Sequence, residues 1–280
     1  MHPVLIRIES VPIIGHITIH TYGFMLAVGV LCAIGFSTWL AKKEKLETKV
    51  VFDFIFYTLL IGLVGAKLFL FVTEIGRYTS SFSNFKSLLF SGGTFFGGLI
   101  FGVFFAAWFL RKHKMNFKVV GDIVAPSVAL AHFFGRMGCF FAGCCWGRIA
   151  GKSCPIAIKF TNNQSSMSDT GFLEKFLYPT QLMEAGLNLL NFVVLFISYK
   201  KKKFHGQIFT LYIFNYSLIR FFVEYFRGDD DRGYIIGGME HPFTSLSVPQ
   251  LICIIGIITA VVLYKIFKRG SATPTHSRSA

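Results

Sequence analysis

The chain has 280 residues, of which 53% are hydrophobic and only 15% are charged, and its mean hydropathy is +0.58. A soluble domain carries about a quarter charged residues, so this composition argues against a soluble protein. The formal net charge is +14, but the basic residues lie beside apolar stretches. We therefore interpret them as groups that orient a membrane protein, and not as a nucleic-acid-binding surface.

The apolar residues fall into blocks of about 20, the length at which a helix crosses a bilayer. The blocks predict about seven transmembrane helices, at residues 19–41, 50–73, 93–111, 118–138, 179–199, 206–226 and 247–267. A β-barrel would show short alternating segments instead, and the first block is expected to insert as a helix and not to be removed as a signal peptide. The predicted fold class is an all-α polytopic membrane protein.

Basic clusters follow alternate blocks along the chain. They are Lys42, Lys43, Lys45 and Lys49; Arg111, Lys112, Lys114 and Lys118; Lys200 to Lys203; and Lys265, Lys268 and Arg269. The positive-inside rule places them in the cytoplasm, which predicts an outer N-terminus and a cytoplasmic C-terminus. We expect one membrane domain at 1–270, with a small extracytoplasmic cap at 139–178, and a disordered cytoplasmic tail at 271–280.

Charged residues inside apolar blocks indicate function by default, and here they gather near the outer ends of the blocks. Arg136 ends the fourth block, and Arg220 lies within the sixth. Their polar neighbours at similar depth are Tyr22, Gln181, Glu184, Tyr216, Glu224, Arg227 and Gln250. The pattern predicts a polar cavity that opens outward, and two arginines suit a phosphate group. An Arg220–Glu224 pair that only holds helices together is the alternative, as is snorkelling of Lys67 and Arg227.

The third block begins with the glycine-rich sequence "SGGTFFGGLIFG". Gly92, Gly93, Gly97, Gly98 and Gly102 include spacings of four residues. Such spacings are typical of close helix packing, and they also fit close approach of the backbone to a lipid headgroup. Both interpretations stay open at this point.

Four cysteines lie on the predicted outer side, at positions 139, 144, 145 and 154. A disulfide between Cys139 and Cys144 or Cys145 is possible in an oxidising compartment, and small residues that pack a turn are the simpler alternative. No CxxC pair or clustered histidines supports a zinc site. We therefore predict no metal and no cofactor.

Several of these motifs occur together and in a recognisable order. The chain contains "GGTFFGGLI", "GRMGCFFAGCCWG", "PTQLMEA", "RFFVEYFRGD" and "LSVPQ". Over residues 2 to 252 it resembles the prolipoprotein diacylglyceryl transferases of bacterial inner membranes. The resemblance implies transfer of the diacylglyceryl unit of phosphatidylglycerol to the thiol of a lipobox cysteine in a prolipoprotein, with release of glycerol-1-phosphate at the outer leaflet of the bilayer.

The resemblance also implies residue roles. Arg136 and Arg220 would grip the phosphate and stabilise charge as the carbon–oxygen bond breaks, and Tyr22 and Glu224 complete the catalytic set. The implied substrate-binding residues are Gly97, Gly98, Gly135, Gly138, Cys139, Gly147, Gln181, Glu184, Tyr216, Arg227 and Gln250.

The chain departs from the family pattern at three positions. Phe96 stands where many members have a histidine that is often proposed as the base, Cys139 replaces an asparagine, and Tyr178 replaces a histidine. The base is therefore open, and an acceptor thiolate drawn into an electropositive cavity without a dedicated base is one answer. Two other functions remain open: a paralogue with a different acceptor, and a non-catalytic lipid-binding protein.

Overall fold

The computed structural model describes residues 2–11, 15–90, 93–162, 171–228, 233–238 and 243–272. Its helices are α1 Thr21–Lys43, α2 Thr48–Thr73, α3 Ile75–Thr79, α4 Phe82–Phe90, α5 Phe95–Lys112, α6 Phe117–Ala142, α7 Thr180–Lys200, α8 Gln207–Glu224 and α9 Val248–Ala272. Its strands are β1 Val4–Val11, β2 Gly15–His20, β3 Ile158–Lys159, β4 Phe176–Leu177, β5 Tyr234–Ile236 and β6 Leu246–Ser247. The predicted all-α polytopic fold is confirmed.

Six of the described helices are long and apolar enough to cross a membrane: α1, α2, α5, α6, α7 and α9. The seventh predicted span coincides with α8, whose polar side chains, Arg220 and Glu224 among them, lower its hydropathy. A polar helix is tolerated in a bilayer where its polar face is covered by neighbouring helices. A seventh crossing, and the sides on which the two termini lie, therefore stay predictions.

Residues 34–120 form one compact unit, in which α2 packs against α5. A Cβ atom on Gly97 would lie 2.6 Å from the carbonyl oxygen of Gly65, and one on Gly98 would lie 3.3 Å from that of Gly62. These glycines therefore let the two helix backbones approach closely. In the same unit, Lys67 donates a hydrogen bond from Nζ to the carbonyl oxygen of Leu88 at 2.9 Å.

Residues 1–33 and 121–280 form the second unit, which contains every polar residue of the predicted outer cavity. Strands β1 and β2 form an antiparallel hairpin that leads directly into α1. Helix α8 packs against both α7 and α9. The hairpin was not among the predicted elements, because the apolar blocks that dominate this sequence mark helices.

The start of α8 is fixed by a buried acidic residue on α6. The Asp122 carboxylate accepts hydrogen bonds from the backbone N–H groups of Gly206, Ile208 and Phe209 at 2.8, 2.8 and 3.0 Å. These are donors that a helix N-terminus leaves without intrahelical partners. Asp122 therefore holds the first turn of α8 against α6. It thereby helps to position Arg220, which lies further along α8. A carboxylate inside an apolar block was the signal that could have found this residue.

The segment between α6 and α7 has a small apolar core of its own. Phe160 and Leu177 are fully buried, and they pack with Phe140, Trp146, Ile158 and Phe172. The predicted cap at 139–178 begins inside α6, which ends at Ala142, and its residues 163–170 lie outside the described residues. So do Gly92 and most of the predicted tail, 273–280. The position of the cap outside the membrane stays a prediction.

Candidate active site

The two arginines predicted to bind phosphate meet at a single carboxylate. Arg136 comes from α6, Glu184 from the first turns of α7, and Arg220 from the second half of α8. Glu184 Oε1 lies 2.9 Å from Arg136 Nη2, and Glu184 Oε2 lies 3.6 Å from Arg220 Nη1. Three consecutive helices thus bring together three of the residues named from the sequence, which lie far apart along the chain.

The exposure of these groups differs in a way that matters for ligand binding. The side chain of Glu184 is 2% exposed, whereas those of Arg136 and Arg220 keep 22% and 15% of their surface accessible. The carboxylate therefore supports both guanidinium groups from the protein interior. Since each guanidinium carries five N–H donors, donors remain for an anion on the accessible side.

A second carboxylate orients Arg220. Glu224 Oε2 lies 3.0 Å from Arg220 Nη2, one helical turn along α8. The hydroxyl of Ser247 donates to Glu224 Oε1 at 3.1 Å. The predicted Arg220–Glu224 pair is present, but it is part of a larger set, because Arg220 also contacts Glu184.

Ser247 and Gln250 form a reciprocal cap at the start of α9. Gln250 Oε1 accepts from the backbone N–H of Ser247 at 3.0 Å, and Ser247 Oγ accepts from the backbone N–H of Gln250 at 3.3 Å. This is the capping box that a Ser-x-x-Gln sequence predicts. Gln250 is 2% exposed. It is therefore buried where it caps α9, and Ser247 links it to Glu224. Its predicted contact with substrate stays a prediction.

An aromatic layer lies one helical turn before the arginines on both α6 and α8. The rings of Tyr216 and His132 have their centroids 4.9 Å apart, and Tyr212 stacks on Tyr216 at 5.9 Å. Tyr212 Oη and His132 Nδ1 are 3.4 Å apart. Tyr216, which the sequence placed at the site, is therefore packed among aromatic side chains next to the charged cluster.

The turn after α6 is held by the first residues of α7. Thr180 Oγ1 donates to the carbonyl oxygen of Cys145 at 2.9 Å, and Gln181 Nε2 donates to that of Cys144 at 2.8 Å. Gly143 and Cys145 both have positive φ, at 70° and 60°. Gln181, predicted as a substrate-binding residue, is 1% exposed and fixes this turn.

Gly147 lies where two chain segments approach it closely. Its backbone N–H donates to the carbonyl oxygen of Tyr178 at 3.0 Å, and it forms an isolated bridge with Arg227. A Cβ atom at this position would lie 2.5 Å from the Tyr178 carbonyl oxygen and 2.7 Å from that of Phe226. Only glycine fits without a shift of backbone, so Gly147 ties the turn to the ends of α7 and α8.

The remaining predicted site residues have different surroundings. A Cβ atom on Gly138 would lie 3.1 Å from Tyr22 Cδ2, so Gly138 allows α6 to approach the start of α1, whereas nothing lies within 4 Å of one on Gly135. Tyr22 is 42% exposed and Arg227 is 6% exposed. For Gly97 and Gly98 the structure gives helix packing within residues 34–120, and their contact with substrate stays a prediction.

Comparison with known proteins places this chain in a family. A family model described as prolipoprotein diacylglyceryl transferase matches residues 10–266. The chain belongs to the prolipoprotein diacylglyceryl transferase family. It is 32% identical to the phosphatidylglycerol–prolipoprotein diacylglyceryl transferase of Clostridium tetani over 267 residues, which is 95% of this chain and 98% of that protein. It is 32% identical to the protein of the same name from Hydrogenovibrio crunogenus (90% and 92% covered) and 28% identical to that from Listeria monocytogenes (88% and 86% covered).

This diacylglyceryl transferase family member also carries a cluster of three thiols at the turn. The Sγ atoms of Cys139, Cys144 and Cys145 lie within 4.8 Å of one another, and all three residues are half-buried. Hydrogen bonds with Cys139 and Cys144 lower the pKa of the Cys145 thiol, as do the charges of Arg227 and Arg136, while burial raises it. The sequence suggested a disulfide of Cys139 with Cys144 or Cys145 but not a cluster of three thiols, because no CxxC pair marks one. In the structure all three are free thiols.

Proposed function

We propose that the protein transfers the diacylglyceryl group of phosphatidylglycerol to the lipobox cysteine thiol of prolipoproteins and releases glycerol-1-phosphate. The relatives are named for this reaction. The observation that carries the proposal is the convergence of Arg136 and Arg220 on Glu184. Clustered, partly accessible guanidinium groups within an otherwise apolar helical protein suit a phospholipid headgroup, and Glu184 holds two of them together.

The phosphate of phosphatidylglycerol is a charged acceptor of hydrogen bonds. Guanidinium groups stay protonated at every physiological pH, and their forked donors match phosphate oxygens in bidentate geometry. We assign the accessible donors of Arg136 and Arg220 to the phosphate, with Glu184 holding the two cations side by side. Tyr22, which interacts electrostatically with Arg136, is assigned to hydrogen bonding with the same headgroup, and Glu224 to the orientation of Arg220.

The same two arginines favour the chemical step. The acceptor sulfur, as thiolate, attacks the glyceryl carbon that bears the phosphate oxygen. The carbon–oxygen bond breaks, its electron pair stays on that oxygen, and glycerol phosphate leaves. The phosphate changes from a diester to a monoester and gains negative charge. Arginine contacts that strengthen as this charge develops lower the activation barrier and do not merely tighten substrate binding.

We further propose that the protein resides in the bacterial cytoplasmic membrane with this site at the outer leaflet. Glu184 lies near the first residue of α7, whereas Lys200 to Lys203 lie at the other end of that helix. Arg136 likewise lies near the last residue of α6, away from Lys118 at its start. Basic residues favour the cytoplasmic side, so the charged cluster is expected at the opposite surface.

This orientation predicts different accessibility for two exposed residues. Ser153 follows the turn after α6, and Lys201 directly follows the last residue of α7. In spheroplasts, a Ser153→Cys variant should therefore react with a membrane-impermeant maleimide. A Lys201→Cys variant should react only after permeabilisation. Labelling of the native protein gives the background from its own cysteines. The reverse pattern would contradict the proposed orientation.

The function is tested by a transfer assay with purified protein in detergent. Phosphatidylglycerol and a lipobox peptide should yield a thioether peptide and glycerol phosphate in equal amounts, both measured by mass spectrometry. A peptide with serine in place of its cysteine should yield neither, and neither should diacylglycerol in place of phosphatidylglycerol, because it has no phosphate leaving group. Binding of phosphatidylglycerol without either product would refute the transferase and favour a lipid-binding protein.

A further inference from the structure

The thiol cluster of Cys139, Cys144 and Cys145 has the spacing of a metal site. Zinc binds thiolate sulfur at about 2.3 Å, so two thiolates in a tetrahedral shell lie about 3.8 Å apart. The three Sγ atoms already lie within 4.8 Å of one another. Each offers one soft ligand atom, and their separations exceed the spacing of thiolates around zinc by about 1 Å at most.

The backbone around the cluster is held in one conformation by contacts with the rest of the fold. Cys145 has a φ of 60°, a conformation that non-glycine residues adopt only where surrounding contacts hold it. Those contacts are the hydrogen bonds that Thr180 and Gln181 donate to the carbonyl groups of Cys145 and Cys144. The cysteines thus sit on a turn that two buried polar residues keep in place, as a preorganised ligand set requires.

The charge around the cluster suits a cation held by three thiolates. Three thiolates exceed the charge of a zinc ion, and the remaining negative charge needs compensation in a half-buried site. Arg136 and Arg227 interact electrostatically with the Cys145 thiol. The cluster is therefore next to Arg136, one of the two arginines that we assign to the phospholipid.

We propose that Cys139, Cys144 and Cys145 bind one thiophilic cation of the Zn²⁺ class and leave its fourth coordination position open for the acceptor thiol of the prolipoprotein. Three protein ligands with one open position is the arrangement of catalytic zinc sites. The second half of this proposal rests on the proposed function, since it names the substrate group that would occupy the open position.

Such a site would supply the thiolate that the transfer reaction needs. A thiol that coordinates zinc loses its proton, and here the proton would pass to water. The bound sulfur then attacks the glyceryl carbon, the carbon–oxygen bond breaks with its electron pair on the phosphate, and the resulting thioether leaves the metal because it is a weaker, neutral ligand. No electron is gained or lost overall.

The first test measures metal content, which does not depend on activity. Protein purified under reducing conditions without chelator, then loaded with Zn²⁺ and desalted, should retain about one zinc ion per chain. Cys139→Ser, Cys144→Ser and Cys145→Ser should each lose it, whereas Cys154→Ser, a matched control outside the cluster, should keep it. Removing the metal from the native protein and loading Zn²⁺ again should restore the same zinc content, which checks the result without a variant.

Two results would overturn the metal site. One is native protein that retains no Zn²⁺, and no Cu⁺ in a parallel loading, under reducing conditions. The other is a Cys139–Cys144 or Cys139–Cys145 disulfide in protein alkylated directly in cells. Retention of Cu⁺ and not Zn²⁺ would overturn the choice of ion.

The second test asks whether the acceptor thiol reaches the metal. In protein loaded with Co²⁺, the near-ultraviolet thiolate-to-cobalt band should intensify when a lipobox peptide is added without phospholipid, and should not change with the serine peptide. An unchanged spectrum would overturn the open-position proposal. Transfer at the native rate by metal-free protein would overturn metal activation while supporting the transferase, so the two failures are distinguishable.

Discussion

Replacing Arg136 by lysine is expected to lower the rate of diacylglyceryl transfer by about 10²- to 10³-fold, the loss typical when one donor that stabilises transition-state charge is removed. Lysine keeps the positive charge but lacks the planar fork of the guanidinium group. Its three donors all radiate from one nitrogen, so it cannot contact Glu184, which lies 2.9 Å from Arg136 Nη2, and also present a planar pair of donors to a phosphate. The effect should fall mainly on kcat, because the charge on the phosphate rises during the reaction.

The measurement is steady-state transfer to a lipobox peptide at varied phosphatidylglycerol concentration. Arg77→Lys is the matched control: Arg77 also pairs with a glutamate, Glu74, at 3.0 Å, but its side chain is 67% exposed, so its replacement should leave the rate unchanged. A lysine variant at position 136 with native kcat would show that its guanidinium plays no part in the chemical step. A change confined to KM would limit Arg136 to ground-state binding of the phospholipid.

The membrane helices were predictable because lipid imposes a simple requirement on sequence. Every backbone polar group in the bilayer must be satisfied within the protein, so the spans appear as apolar blocks of helical length. The same requirement makes a charge within a block conspicuous. Arg136, Arg220 and Glu224 were found by this signal alone, and the structure places Arg136 and Arg220 together on Glu184.

The uses of individual polar residues were less predictable, because they depend on contacts between distant segments. Gln181 and Gln250 were named for their predicted depth in the membrane, and the structure gives each a structural contact: Gln181 fixes the turn at Cys144, and Gln250 caps α9. The Ser-x-x-Gln pattern of α9 is local and readable, whereas the hydrogen bond from Gln181 to a residue 37 positions away is not. The local cap was thus readable from the sequence, and the distant hydrogen-bond partner was not.

The thiol cluster shows the same limit more sharply. The spacing of Cys139 and Cys144 spans the end of α6, where the helical pattern stops and the backbone turns through Gly143 and Cys145 at positive φ. Neither a helical nor an extended spacing rule describes such a turn. The sulfur atoms meet because α7 holds the turn in place, and that information is absent from the local sequence.

Replacing Glu184 by glutamine is the second change with a large expected effect. The amide keeps the volume of the side chain but removes the anion shared by Arg136 and Arg220. The two guanidinium cations would repel each other and separate, and misplacement of binding groups by about 1 Å lowers rates by about 10²-fold. The variant should also unfold at a lower temperature in detergent. Removing one partner of a fully buried ion pair lowers the free energy of unfolding by about 3–5 kcal/mol, and the loss here should be smaller because both arginines are partly exposed.

The phospholipid should partly reverse this loss of stability. A phosphate that binds between Arg136 and Arg220 replaces the missing carboxylate charge, so phosphatidylglycerol should raise the melting temperature of Glu184→Gln more than that of the native protein. Diacylglycerol, which has the same acyl chains but no phosphate, should raise both equally. Ligands that bind only the folded state stabilise it more, the more tightly they bind. Glu74→Gln, which removes the exposed partner of Arg77, is the control and should behave as native. If Glu184→Gln melts and transfers like the native protein, the shared carboxylate does not hold the arginines in place, and their convergence no longer supports a phosphate site.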